Sequence, residues 1–358
     1  MAIINVKNCP VCGNSGRKES ANGIASIRRN TGRHYLKFAA KQAKLTVDQL
    51  LDAVRVYQCD ICRSYYCDPW ISARTASYIF TDGAPDHMAG WENFEHWLSS
   101  GRLNSVDIAN TRLYPILLEK IGPVASYAEY GCPFQGFLLL FKRLETTPDQ
   151  RIELFSNAMK RTPDTRWTKS PRIYHISQRL AHLLTVGYHR IRAVKERGRE
   201  GGPTQAPTEK ICPQRRVLLT DEATKHWGNN CVRYGFSCKY FAHRMLDAEV
   251  LPLNELVDDP DTNNVSALDL LGIFNILDHT NSPAVVLNKG LRLARHIVVA
   301  THHAALAGKQ HLFAFDESFP AWLASQLKNA TVEDISEQML ENGKRIYNYI
   351  LISRNSPG

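Results

Sequence analysis

Short apolar runs, each bounded by polar or glycine-containing turns, recur through the last two thirds of the chain. Residues 124–132 (VASYAEYGC) are mainly apolar and partly alternating. The later runs are RRVLL at 215–219, one within HRMLDAEVLP at 243–252, ALDLLGIF at 267–274, ARHIVVA at 294–300 and RIYNYILISR at 345–354. Runs of this length between turn residues predict buried strands. Because helical segments separate several of them, the pattern predicts an α/β fold with a largely parallel sheet.

Helical periodicity appears in front of these strands and between them. LTVDQLLDAVRVYQC (45–59) is typical of a short amphipathic helix, and IANTRLYPILLEKIG (108–122) predicts a second helix. The apolar run GFLLLF (136–141) closely follows the strand predicted in residues 124–132, across a glycine turn. A strand, a tight glycine turn and a helix are the first unit of a doubly wound domain.

Cysteines concentrate at the N-terminus in two C-x-x-C pairs. The first is CPVC, with Cys9 and Cys12, and the second is CDIC, with Cys59 and Cys62. Two such turns aim four thiolates at one ion, and a closed shell of four leaves no open position for chemistry. The spacing therefore predicts a structural Zn²⁺ site, with Cys67 as a nearby thiol that could replace one ligand; a redox pair is the alternative.

Composition indicates a globular protein and places the net charge in one segment. The chain is 44% hydrophobic and 22% charged. No apolar run approaches the ~18 residues of a membrane span, and the N-terminus has no secretory pattern, so we expect a cytoplasmic protein. The net charge is +9, but residues 141–216 hold 17 lysines and arginines against 7 aspartates and glutamates, a net of +10, so the rest carries −1.

The basic segment lies between the first helix and the second strand and reads as a helical insertion, a candidate lid. Three interpretations stay open. Its arginines could grip an acidic substrate such as a nucleotide sugar, since guanidinium groups bind phosphates bidentately. It could bind RNA, although no stacking aromatic motif accompanies the charge. It could also be a solvated helical hairpin without a specific partner.

The glycine turn at 127–141 (YAEYGCPFQGFLLLF) limits the ligands that the first unit can take. Gly131 and Gly136 have the glycine spacing of a phosphate P-loop, but Phe137 stands where that motif needs lysine. A dinucleotide turn, G-x-G-x-x-G, would need glycine at Pro133. The turn therefore fails the P-loop pattern and departs from the dinucleotide pattern.

An acidic residue before the glycine, as in Glu129-Tyr130-Gly131, resembles motif I of the Rossmann-like (class I) S-adenosylmethionine-dependent methyltransferases. The downstream strands follow in the family's order. Residues 265–293 resemble its fourth strand and continuation, and QHLFAF (310–315) resembles the stretch before a late helix. With its cysteine-rich N-terminus, the chain is similar to sugar C-methyltransferases and their relatives. The resemblance covers about residues 115–140 and 214–355.

This resemblance implies S-adenosyl-L-methionine as cofactor and gives roles to residues at the expected strand ends. The acid that follows the second strand would accept the ribose hydroxyls. The implied cofactor-binding residues are Glu129, which orients the turn, Gly131 and Gly136 in the turn, Asp221 (with Glu222 as rival) at the ribose, Asp247 after the third strand near adenine, and Asn275 within the fourth strand at the methionine end.

Histidines near the expected acceptor position are candidates for the base that methyl transfer to oxygen or carbon usually needs. His279 lies just beyond the fourth strand, and His311 lies in the QHLFAF stretch. These two are the predicted catalytic residues. His302 and His303, after the fifth strand, are weaker candidates, and Asp278 is expected to cap or orient a neighbour.

The predicted organisation has four parts: a zinc-binding module at 1–75, linker helices and the start of the methyltransferase domain at 76–140, the basic insertion at 141–213, and the rest of the domain at 214–358. The predicted fold is a Rossmann-like seven-stranded sheet with an N-terminal four-cysteine, zinc-ribbon-like module. The predicted function is methylation of a small molecule, anionic or neutral, such as a sugar, a nucleotide sugar or a saccharide-pathway intermediate. The alternatives are an RNA methyltransferase and, because Pro133 alters motif I, a non-catalytic scaffold.

Overall fold

The structure is a computed structural model of the 358-residue chain. It describes residues 3–20, 36–37, 40–41, 43–71, 105–131, 136–146, 212–220, 248–252, 268–279, 283–303, 313–340, 343 and 345–355. The predicted sites Asp221, Asp247 and His311 lie outside these ranges, as does most of the basic insertion.

Strands and helices follow one another along the described chain. The strands are β1 Ile3–Ile4, β2 Arg17–Glu19, β3 Arg55–Cys59, β4 Tyr65–Asp68, β5 Trp70–Ile71, β6 Ser126–Gly131, β7 Arg215–Thr220, β8 Glu249–Pro252, β9 Leu268–Phe274, β10 Ala294–His302, β11 Phe313–Ala314, β12 Ala330–Asp334 and β13 Tyr347–Arg354. The α-helices are α1 Val47–Ala53, α2 Ser105–Ile121, α3 Phe137–Thr146, α4 Pro283–Leu293 and α5 Phe319–Gln326. Two 3₁₀ turns span Leu277–His279 and Ser336–Met339.

The main sheet has seven strands in the order β12-β13-β10-β9-β6-β7-β8. From β10 to β8 all neighbours run parallel, whereas β13 runs antiparallel to both β10 and β12. Counted along the chain, this order is 6-7-5-4-1-2-3 with the last strand reversed. The first strand therefore lies in the middle of the sheet beside the fourth, and the predicted seven-stranded, largely parallel sheet is confirmed.

Alternation along the strands divides the core into two layers. On one face Tyr127 packs with residues of α2 and α3, and on the other face Ala128 and Tyr130 pack with residues of α4 and α5. Side chains of successive strand residues point to opposite faces, which explains why these β6 neighbours separate. Cys59 and Cys62 belong to the second cluster, so the N-terminal module shares one core with the α4–α5 face of the main sheet.

The N-terminal module is built around a second sheet of four strands, in the order β11-β4-β3-β2. Three of these strands belong to the module, but β11 comes from the segment after β10 and pairs antiparallel with β4. The module is thus joined to the main domain by backbone pairing as well as by packing. The helix predicted at 45–59 is present as α1, capped by Thr46 with Gln49 in a capping box, and the chain then changes to strand β3.

Three expectations about element bounds are wrong. Helix α3 continues to Thr146, so the boundary placed after residue 140 divides a helix. Asn275 follows β9, which ends at Phe274, and is therefore not within the strand. The third strand begins at Glu249, so Asp247 precedes it in sequence. Ligands of parallel sheets lie at the carboxyl ends of the strands, and a position before the third strand does not favour the adenine role predicted for Asp247.

Candidate functional site

The four predicted cysteines come together at the base of the N-terminal module. The Sγ atoms of Cys9, Cys12, Cys59 and Cys62 all lie within 4.8 Å of one another. Tetrahedral Zn²⁺ with bonds of about 2.3 Å holds its sulfur ligands roughly 3.8 Å apart. The cluster therefore fits one tetrahedral ion with four thiolate ligands. Cys67 is outside this group and fully buried, and burial raises the pKa of its thiol.

Each C-x-x-C pair forms the same backbone turn. In both turns the first cysteine exchanges two backbone hydrogen bonds with the residues that follow the second cysteine. The bonds are Cys9 N–H to Asn14 O and Gly13 N–H to Cys9 O in the first turn, and Cys59 N–H to Ser64 O and Arg63 N–H to Cys59 O in the second. The residue after the second cysteine is left-handed in both, with φ of 75° at Gly13 and 59° at Arg63.

A buried hydroxyl supports the sulfur cluster. Ser64 Oγ lies 2.9 Å from Cys62 Sγ and 3.3 Å from Cys9 Sγ, and Ser64 is fully buried. A hydroxyl donor beside a thiolate reduces the charge that the sulfur carries, which is the usual task of groups around metal ligands. This residue had no signal in the cysteine spacing.

At the other candidate site, Glu129 bridges the end of β6 and the start of α3. Its Oε2 accepts a hydrogen bond from the Tyr127 hydroxyl at 2.8 Å and one from the Leu138 backbone N–H at 3.1 Å. Tyr127 and Glu129 are two residues apart on one strand and therefore share a face. The carboxylate thus occupies the N-terminus of α3, where the helix presents unpaired N–H groups.

Two glycines make room for this arrangement. A Cβ atom at Gly136 would lie 2.1 Å from the carboxyl carbon of Glu129, so the helix start and the carboxylate touch only because residue 136 has no side chain. On β9, a Cβ at Gly272 would lie 2.2 Å from the Tyr127 hydroxyl oxygen. Gly272, Tyr127, Glu129 and Gly136 therefore form one contiguous network across β9, β6 and α3.

Burial dominates the ionisation of this carboxyl group. Glu129 is fully buried, and its desolvation raises the pKa to about 7 from an ordinary value of 4.5. Hydrogen bonds from the Leu138 N–H, the Tyr127 hydroxyl and the Phe137 N–H act in the opposite direction. The group is therefore poised between its neutral and charged forms near neutral pH.

The carboxyl edge of the middle strands carries a second set of polar residues. Asn275 directly follows β9 with φ of 51°, and its N–H donates to Ala300 O at 2.8 Å. Asp278, fully buried in the following 3₁₀ turn, places Oδ2 3.0 Å from His302 Nδ1 at the end of β10. The His302 ring also lies 5.0 Å from the ring of Tyr347. Adjacent strands thus bring an acid–imidazole pair to the edge where parallel sheets bind ligands.

The structure brings together some of the predicted residues and leaves others outside the described ranges. Gly131 is the last residue of β6, and His279 closes the 3₁₀ turn after β9, so both lie at the carboxyl edge. Asp221 follows the last residue of β7 in sequence, at the carboxyl end of that strand, but it lies outside the described part, as does His311.

Sequence reasoning missed the supporting partners of the turn. Tyr127 could have been found from its position two residues before Glu129 on the same strand face. Gly272 lies in the middle of a buried strand, where glycine is otherwise unfavourable, and that is a signal of close approach. The pairing of Asp278 with His302 had no local signal, since 24 residues separate them.

Within the described residues, no helix is both long enough and apolar enough to span a membrane.

No protein-family model matches the chain, and the search of curated proteins finds no match either. Among solved structures, the plantazolicin methyltransferase BpumL, in complex with a triazolic desmethylPZN analogue and SAH, aligns with 8% identity over 79% of this chain and 96% of its own, at a TM-score of 0.40. EvdMO1 aligns with 12% identity over 69% of this chain and 41% of its own, at a TM-score of 0.30. The O-methyltransferase TomG from Streptomyces achromogenes, in complex with SAM, aligns with 11% identity over 75% and 89%, at a TM-score of 0.27. At such TM-scores the fold assignment rests on the strand order alone.

Proposed function

We propose that the chain is an S-adenosyl-L-methionine-dependent methyltransferase that acts on a small molecule, with a sugar, a nucleotide sugar or a saccharide-pathway intermediate as the favoured acceptor. The strand order supports this class, because the reversed last strand between the fifth and sixth strands departs from an all-parallel dinucleotide-binding sheet. The sugar preference comes from the resemblance of the cysteine-rich N-terminus and the strand segments to sugar C-methyltransferases.

The observation that carries the proposal is the position of the Glu129 carboxyl group. In dinucleotide-binding and P-loop proteins, the N-terminus of the first helix holds a phosphate. Here Glu129 accepts the Leu138 N–H at that place and fills the space beside Gly136. A phosphate would meet both a collision and a like charge there. A ligand without a phosphate group needs no anion site at this end of the helix, and a sulfonium cation is not repelled by the carboxylate.

The residues at the carboxyl edge have the right chemistry to hold this cofactor. Gly131 ends β6 and lets a ligand approach the backbone, Asp221 offers a carboxylate for the ribose hydroxyls, and Asn275 offers an amide near the methionine end. When bound, the cofactor supplies an electrophilic methyl group. The protein must then position the acceptor atom and receive its proton.

Proton transfer is assigned to histidines at the same edge. His279 and His311 remain the proposed bases from the sequence, and His279 lies at the end of the turn that holds Asp278. His302 joins them on geometry, because a hydrogen bond from Nδ1–H to Asp278 Oδ2 selects the tautomer in which Nε2 accepts a proton. The buried carboxylate would then stabilise the resulting imidazolium.

The four-cysteine site is proposed to bind one Zn²⁺ with a structural role. Four thiolates complete the tetrahedral shell, so no position remains for a water molecule or a substrate. The ion would contribute to folding, because apo sites of this type lose the structure that the metal holds.

Calorimetric titration with S-adenosylmethionine and S-adenosylhomocysteine tests the proposal. We expect micromolar binding that is lost in Gly131→Arg, where a long side chain enters the turn, and weakened in Asp221→Ala, where the ribose loses its acceptor. A surface variant, Gln326→Ala, serves as control. Absence of binding in the wild-type chain would contradict the proposed methyltransferase function and favour the non-catalytic scaffold. With binding established, nucleotide sugars and RNA are compared as methyl acceptors; a salt-dependent RNA signal would overturn the small-molecule assignment.

A further inference from the structure

The two-residue strand β11 connects the cysteine module with the carboxyl edge of the main sheet. Phe313 and Ala314 pair antiparallel with Tyr66 and Tyr65 of β4, which makes β11 an outer strand of the module's own sheet. The next residue, Phe315, forms a parallel bridge with His303, directly after β10. The segment 313–316 is therefore held from both sides, by the module and by the edge that carries His302.

A side-chain hydrogen bond ties this segment to the second cysteine turn. Gln58, which precedes the ligand Cys59, donates from Nε2 to Asp316 Oδ2 at 2.9 Å. The same amide nitrogen donates to Arg63 O at 3.2 Å, within the backbone turn of the second cysteine pair. Gln58 thus contacts the metal-binding turn and the 313–316 segment at once, across 258 residues of sequence.

Asp316 uses its other carboxylate oxygen to fix the start of α5. Its Oδ1 accepts from the Ser318 N–H at 2.9 Å and from the Ser318 hydroxyl at 2.6 Å. Both oxygens of one carboxylate are therefore engaged, one toward the cysteine turn and one toward the helix. A displacement of Gln58 changes the environment of a group that also determines where the helix begins.

On the main-sheet side, the segment is held by a buried amide. Asn348, on β13, donates from Nδ2 to Phe315 O at 3.1 Å and is fully buried. The Phe315 ring stacks on Phe319 with centroids 3.8 Å apart, and both belong to the core cluster that contains Cys59 and Cys62. Polar and apolar contacts therefore run without a gap from the sulfur cluster to the edge beside His303.

We propose that Gln58 and Asp316 are positioning residues, through which the metal-loaded four-cysteine site fixes the segment 313–316 against the carboxyl edge at His302 and His303. The proposal rests on the proposed function where it treats that edge as the acceptor side. A two-residue strand has little stability of its own and depends on the sheet that it joins. That sheet in turn depends on the ion, because β3 ends at the ligand Cys59.

Hydrogen–deuterium exchange of peptides covering 313–318 tests this on the full, zinc-loaded chain. We expect Gln58→Ala to raise exchange about tenfold there, the effect of losing one hydrogen bond of ~1.4 kcal/mol. Chelation of the metal should raise it further. Peptides of β8, on the edge of the main sheet farthest from β10 and β13, should keep their wild-type rates in both cases. The matched control is Gln326→Ala, which removes an exposed glutamine bonded only to its neighbour Ser325 among the described residues.

A reversed hydrogen bond distinguishes positioning from a local role in the cysteine turn. Gln58→Glu places two carboxyl groups together and should raise exchange as much as Gln58→Ala does. Combining Gln58→Glu with Asp316→Asn lets the new amide donate to the new carboxylate, and exchange should return to within about threefold of wild type. If Gln58 acted only through its bond to Arg63 O, the Asp316→Asn change would not restore wild-type exchange at 313–318. That result would overturn the proposal.

S-adenosylhomocysteine titration of the same variants separates this proposal from the proposed function. Glu129 shares the strand face of Tyr127, which is opposite the face that packs with Cys59 and Cys62, so affinity should change less than about twofold in Gln58→Ala. A wild-type chain that binds no cofactor contradicts the proposed function, whereas the exchange pattern would still support the link. Unchanged exchange at 313–318 after both substitution and chelation overturns the link, and so does an equal rise in β8.

Discussion

The two candidate sites of this chain are organised in opposite ways. In the cysteine module, the ligands come in pairs three residues apart, and each pair is held by the same two backbone hydrogen bonds. In the glycine turn after β6, Glu129 depends on Tyr127 from its own strand, on Gly136 across the turn, and on the space that Gly272 leaves on β9, 143 residues from Glu129 along the chain. Local spacing specifies the first site, whereas sheet register specifies the second.

The two sites also differ in what stabilises their ionisable groups, the four cysteine thiolates and the Glu129 carboxyl group. Four thiolates close together repel one another unless a cation neutralises them, so the first site needs a ligand to be stable. The Glu129 carboxyl group is already bonded within the protein and can also take up a proton, because burial raises its pKa to about 7. We therefore expect the stability of the cysteine site to depend on bound metal. The stability of the glycine turn should depend on pH and on the volume of added side chains.

The largest effect is expected from removing one thiolate. Cys62→Ser should lower the zinc content from one per chain to nearly none, and should destabilise the module by at least ~5 kcal/mol, because the binding free energy of the ion is lost with the ligand. Metal analysis and thermal unfolding measure this. Cys67→Ser is the matched control: it also changes a buried thiol, but outside the cluster, and should keep the metal. Full zinc content in Cys62→Ser would contradict the four-ligand site.

A methyl group added in the glycine turn, at Gly136, should have the next largest effect. Gly136→Ala places Cβ 2.1 Å from the Glu129 carboxyl group, which is held by two hydrogen bonds, so we expect a loss of about 4 kcal/mol and of cofactor binding. Gly290→Ala is the control, because its Cβ would meet only methyl groups at 2.9 Å, at Ile297 and Leu271. That variant should lose roughly 1–2 kcal/mol and bind normally. Equal losses of stability in the two variants would show that the contact between residue 136 and the Glu129 carboxyl group is not unusually tight.

The pH dependence of stability isolates the contribution of Glu129. Because its pKa is raised in the folded state, from 4.5 to about 7, folding is favoured while the carboxyl group is protonated. Wild-type stability should therefore fall relative to Glu129→Gln as pH rises from about 4.5 to 7, by roughly 3 kcal/mol in total, and the difference should stay constant above that range. Urea unfolding across this range measures it. The exposed variant Glu333→Gln is the control, and a flat difference between wild type and Glu129→Gln would contradict the raised pKa.

The smallest effect should distinguish the two cysteine turns from each other. Both place a left-handed residue after the second cysteine, but the first has Gly13 and the second has Arg63. A side chain costs about 1 kcal/mol in that conformation. Arg63→Gly should therefore leave stability unchanged or raise it by up to ~1 kcal/mol, whereas Gly13→Ala should lower it by about the same amount, at unchanged zinc content. Denaturant unfolding gives both values, and a change of the same sign in the two variants would show that the turns are not equivalent.

Much of the fold could be predicted from the chain, because its signals are short-range. The apolar runs of β6, β9, β10 and β13 predict buried strands, and helix α1 carries a capping box at Thr46. The sequence alone does not locate the third strand, since HRML and EVLP are both plausible strands by composition. Pairing of Val217 with Glu249 decides between them, and that pairing is a long-range contact.

The sequence by itself determined the two C-x-x-C pairs of the cysteine cluster, the strand–turn–helix unit at Glu129, Gly131 and Gly136, and the mismatch of that turn with a phosphate P-loop, because each depends on residue types a few positions apart. Only the tertiary structure decided that Glu129 fills the N-terminus of α3, that Asp278 contacts His302, and that β11 joins the cysteine module to the main sheet through Gln58 and Asp316. Those contacts join different secondary-structure elements, so they exist only once the elements have packed together.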